Sequence, residues 1–180
     1  MAKLLGKKNI DLILETAKEN LIKYDSLFPV LFVQDIKTQK TLVIGLNLYD
    51  DTDRQKTFSS IKKKLEKEKI KFDEALFVAE SFFKKVEKGE KIDRTKPIKE
   101  QRGNKEAIIL TGRNRKGNDS LMVMQAFTKT EGKYLFDEKI IERSDKPLHI
   151  TGLLDYLFDE KEARFKERIT ASEIDGKQLN

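Results

Sequence analysis

The chain has 180 residues, of which 38% are charged and 38% hydrophobic, with no Cys, one His and a formal net charge of +6. That length leads one to expect a single domain with its own core, and the missing thiols exclude disulfides and any zinc centre built from Cys or several His. No window approaches the ~18 apolar residues of a membrane-spanning helix. MAKLLGKKNIDLIL has no long apolar core followed by a small-residue cleavage site, so no secretory signal is expected and the cytoplasm is the expected compartment.

The charge is unevenly placed. Residues 51–105 hold 17 basic residues against 11 acidic, whereas the segments on either side are nearly balanced. The whole surplus therefore falls in the middle third.

Ile10, Ile13, Leu14, Ala17 and Leu21 recur at helical spacing and predict a helix over 9–24, with Asn9 as its N-cap. Pro29 bars its continuation. Val30–Asp35 and Thr41–Leu48 read as two strands of a hairpin joined by the polar turn Ile36–Lys40. Asp50-Asp51-Thr52-Asp53 opens a second helix to about Ile70, whose buried stripe is Phe58, Ile61 and Leu65 and whose other faces carry lysines. Glu74–Phe83 is apolar on both faces and reads as a central strand.

Residues 84–105, with Gly89, Pro97 and Gly103, read as a long polar loop. Three further strands follow at Glu106–Thr111, Ser120–Thr128 and Lys133–Ile141, separated by Gly-containing turns, as in an antiparallel meander. A last helix is expected from Thr151 to about Lys166 on Leu153, Leu154, Leu157 and Phe158, then a polar tail over 168–180. The expected fold is one α+β domain over 1–167. Its sheet is mixed or largely antiparallel, with about six strands in the order α-β-β-α-β-β-β-β-α.

The segment EALFVAESFF, after a basic helix and before a polar loop, and the segment EAIILTGRNRKGNDSLMVMQAF resemble a pattern in small uncharacterised prokaryotic and phage-type α+β proteins. The resemblance spans roughly residues 10–128. It implies one domain and this strand order, and it carries no assigned activity.

Glu80 shares a strand face with Leu76, Val78 and Phe82. A carboxylate there needs a partner or a proton, and Arg113, Arg115 or a backbone amide are the candidate donors. Such a group is either structural, with the strand end emerging into solvent or the carboxylate paired with an Arg or Lys, or part of a functional site. Asp50, Asp51 and Asp53 are either helix caps that complement the macrodipole or ligands for a hard cation. Arg113, Arg115 and Lys116 lie between Gly112 and Gly117, either on a solvated turn or as a phosphate clamp. Together with Lys62, Lys63 and Lys67 they are the candidate nucleic-acid contacts. The lone His149 sits beside Leu148 and Ile150, and no Ser stands in a nucleophile elbow. No cofactor motif is present.

Three functions follow. The first is a non-enzymatic module that binds a protein partner or a second copy of itself. The second is sequence-independent nucleic-acid binding through 51–105. The third is a metal-assisted hydrolase built on Glu80 and Asp50, Asp51 or Asp53.

Overall fold

The computed structural model describes residues 3–48, 51–84, 95, 97–146 and 152–158, without the side chains of 51–53 and 152. One antiparallel sheet runs through them. Its strands are β1 (Val30–Asp35), β2 (Thr41–Gly45), β3 (Phe72–Lys84), β4 (Asn104–Asn114), β5 (Ser120–Thr130), β6 (Lys133–Phe136) and β7 (Ile140–Ser144). The spatial order is β2-β1-β3-β4-β5-β6, with β7 also on β5. The helices are α1 (Lys7–Tyr24), α2 (Asp51–Lys67) and the single turn α3 (Gly152–Asp155).

The period of two divides the long central strands into two faces. In β3, Leu76 and Val78 share a face with Ile108 and Leu110 of β4 and with Leu121, Val123 and Phe127 of β5. The buried stripe of α1 (Ile10, Leu14, Ala17 and Leu21) packs on that face. On the other face, Leu31, Val33 and Ala75 meet Phe58 and Leu65 of α2 and Leu154, Leu157 and Phe158 of the α3 segment. The sheet is thus a middle layer with a core on each side, which is why β3 carries apolar residues at both parities.

Several boundaries differ from expectation. Helix α1 begins at Lys7 with Gly6 at the N-cap position, and the Asn9 amide instead donates to the Lys3 carbonyl at 2.8 Å. β2 ends at Gly45 rather than Leu48. β3 runs to Lys84 and β4 starts at Asn104, with one turn of 3-10 helix at Ile98–Glu100 between them. Residues 85–94, His149, the 168–180 tail and all but 152–158 of the expected last helix lie outside the described residues.

The expected single strand 133–141 is two strands, so the element order gains a β. Phe136 faces Phe127 and Ile140 faces Met124, so four steps on one chain match three on the other. One extra residue within 137–139 makes a bulge that splits a single edge strand in two.

Candidate anion-binding cleft

Helix α2 ends in a Schellman motif. The Ile70 N–H donates to the Leu65 carbonyl at 2.9 Å and the Lys69 N–H to the Glu66 carbonyl at 3.0 Å. Leu65 and Ile70 belong to the same apolar cluster, the contact that usually accompanies this motif. The motif requires a left-handed residue, and Lys69 supplies it at φ 57, where glycine is the usual choice. The chain then reverses through Lys71 into β3.

The β4–β5 turn meets that reversal. The Arg115 N–H donates to the Asp73 carbonyl at 2.7 Å. The Arg115 side chain donates to the Phe72 carbonyl from Nε at 3.3 Å and from Nη2 at 3.0 Å. Its guanidinium also stands over the rings of Phe72 and Phe158, 5.2 Å and 5.4 Å from their centroids. Two hydrogen bonds and two rings hold this cation in place, and its Nη1 group is not used by them.

Between these elements lies a cleft of about 490 Å³. Among the described residues, Lys62, Lys69, Lys71 and Arg115 supply its cations and Glu66 its one carboxylate, over a floor that includes Ile70, Phe72 and Leu157. Lys62 is 3.9 Å from Glu66. Lys69 and Lys71 are exposed and make no ion pair with any described residue. Cations around an apolar floor attract anions more strongly than the same charges in open water, because the floor lowers the local dielectric.

The structure thus brings together Lys62 and Arg115, which the sequence places 53 positions apart. It separates the other candidates. Lys63, Lys67 and Lys116 are exposed but do not line the cleft. Arg113 is fully buried on the α2 face, paired with Asp155 and 5.3 Å from the Phe158 centroid, so its guanidinium is not presented to a phosphate in solvent. Lys69 and Lys71 fall within the basic 51–105 region that the sequence offers but are not singled out there. The signal for Lys69 was the helix end itself, since a Schellman ending without glycine takes another left-handed residue.

Glu80 is half-buried on the α1 face and accepts a hydrogen bond from the Leu27 N–H at 3.3 Å. The partner is a backbone amide, neither Arg113 nor Arg115. Burial pushes its pKa up, the Leu27 bond pulls the other way, and repulsion from Glu106 and Asp25 adds to the rise. Helix α2, which opens at Asp51, packs on the opposite face. Asp50 and the side chains of Asp51 and Asp53 lie outside the described residues. Among the described residues no three His, Cys, Asp or Glu side chains gather as a metal site, and no helix is long and apolar enough to cross a membrane. Glu74, three repeats of the pleat earlier on the same face, accepts from the Leu5 N–H at 3.1 Å and anchors the start of the chain.

Comparison with protein-family models, with curated proteins and with solved structures finds no match.

Proposed function

We propose that this protein is a non-enzymatic binder of nucleic acid, acting without sequence preference through the cleft between the end of α2, the start of β3 and the β4–β5 turn. The observation that carries the reading is the convergence of Lys62, Lys69, Lys71 and Arg115 on one cleft, with a single carboxylate among the described lining residues. Lysines dominate, and lysine is a point charge that suits phosphate oxygens without reading base edges. The exposed lysines Lys63, Lys67 and Lys116 extend the positive field beyond the cleft. Lys64 and Lys67 also complement the negative end of the α2 dipole, so part of the surplus serves the helix.

Fluorescence anisotropy of labelled single strands and duplexes, titrated at several salt concentrations, tests the reading. Affinity is expected to fall steeply with salt and to vary little with sequence. Lys69→Ala with Lys71→Ala should flatten the slope for single strands by about 1.4, at ~0.7 per phosphate contact. Absence of binding at low salt, or an unchanged slope in the double variant, would overturn it.

A further inference from the structure

We propose that two copies of this chain pair through the outer edge of β2, joining their sheets into one continuous antiparallel sheet. The inference is independent of the cleft. It starts from which backbone groups β2 leaves open.

Leu46 donates to Pro29 at 2.8 Å and Asp35 donates to Lys40 at 2.9 Å, and the register between them pairs Ile44 with Leu31 and Leu42 with Val33. Residues 40, 42, 44 and 46 therefore aim their N–H and C=O groups at β1. Thr41, Val43 and Gly45 aim theirs outward. All three are exposed, Val43 at 63%. No other described strand pairs with this edge.

The register that pairs all three outward residues of a second copy has its two-fold axis at Val43. Val43 then faces Val43 of the second copy, and Thr41 faces Gly45 in both directions. Every one of these is an outward-facing residue, so each facing pair exchanges both N–H···O bonds. Leu42 comes to lie opposite Ile44 on the α2 face, where both already pack against the second apolar cluster. No charged side chain lies within Thr41–Gly45, and the next positions oppose Lys40 to Leu46 and Gln39 to Asn47. No like charges meet.

The opposite edge of the sheet does not offer this. β6 has four residues and ends in the bulge, both of which protect an edge. In β7, a register centred on Ile140 opposes Glu138 to Glu142, and one centred on Ile141 opposes Lys139 to Arg143. Registers centred on Glu142 or Arg143 oppose each residue to itself. Like charges directly opposite destabilise a pair. Self-pairing through β2 is isologous and closes at a dimer.

Sedimentation of the full chain from low micromolar to millimolar concentration reads the assembly. A monomer–dimer equilibrium is expected. Val43→Lys sets two ammonium groups against each other at the axis and should raise the dissociation constant at least about tenfold, with the monomer fold intact by circular dichroism. Because the chain has no Cys, Val43→Cys treated with a short bismaleimide should give a covalent dimer, and Leu135→Cys on the opposite edge should not. A chain that stays monomeric throughout overturns the proposal. So does a dimer unaffected by Val43→Lys, a dimer captured through Leu135→Cys, or an open series of larger species.

Discussion

Arg113 and Asp155 form an ion pair inside the protein, the guanidinium wholly buried and the carboxyl nearly so. It joins the end of β4 to α3 across 42 positions of chain. A buried charge that loses its partner costs about 3–5 kcal/mol. Arg113→Ala should therefore lower stability by about that much, and Tm by roughly 2–4 °C per kcal/mol for a chain of this size. Arg113→Lys should not restore it, because an ammonium cannot reproduce the planar stack on Phe158. Urea denaturation of both variants checks this. A loss below about 1 kcal/mol for Arg113→Ala would show that the pair is not an internal tie.

At Lys69 the same side chain is a backbone liability and a cleft cation. An L-residue held left-handed costs about 1–2 kcal/mol relative to ordinary helix geometry. Lys69→Gly should raise stability by about 1 kcal/mol while weakening nucleic-acid binding. Lys69→Ala should weaken binding equally without the gain. If Lys69→Gly raises stability and leaves binding untouched, the residue's charge has no part in the cleft.

Gly112 is a close-approach position. A Cβ there would stand 2.5 Å from Leu5 Cδ2 and 2.9 Å from Leu76 Cδ1, both on fully buried side chains. Those leucines have little room to yield, so Gly112→Ala should destabilise by about 1–3 kcal/mol as an overpacked core. Paired with Leu5→Ala, the loss should be less than additive. Chemical denaturation of the two single variants and the double variant measures the coupling, and strict additivity would show that the methyl group finds space elsewhere.

Glu80 gives a pH signature. Its folded pKa lies above the usual value, so the folded state binds its proton more tightly than the unfolded chain does. The ionised carboxylate therefore costs stability above the folded pKa, and that cost is relieved as pH falls through it. Glu80→Gln should be more stable than the parent at neutral pH, with the advantage shrinking toward pH 4. Asp25, held down chiefly by Lys129 and then by Tyr134, acts in the opposite sense: its contribution is present at neutral pH and is lost on acidification. Melting curves of Glu80→Gln and parent across that range check the sign. A difference that grows on acidification would contradict it.

The pattern in the sequence located the α1 stripe and the face of Glu80, because both are local: one helix period and one strand period suffice. The same strand period was available for Arg113. It alternates with Ala107, Ile109 and Thr111, all facing α2. Its neighbours Gly112, Asn114 and Arg115 nevertheless read as a turn, and the partner Asp155 lies on a helix of a single turn. The cleft was half legible. Charge counting found the middle third, but only the Arg115–Asp73 backbone bond and the Lys69 reversal bring its parts together. The Glu80 donor was legible as a class, a backbone amide, and not as Leu27.

The extra residue in the β6–β7 edge acts as a change of phase. Before it, Tyr134 and Phe136 lean on the α1 layer; after it, Ile141 and Arg143 do, so even positions hand that side to odd ones. Arg143 can thereby donate to the Leu5 carbonyl at 2.8 Å and to Asp119 at 2.9 Å. Deleting one residue from 137–139 would turn Arg143 outward and swing Ile140 and Glu142 inward without altering a single side chain. In this stretch, chain length encodes polarity: a shortened allele would behave like a cluster of point mutations.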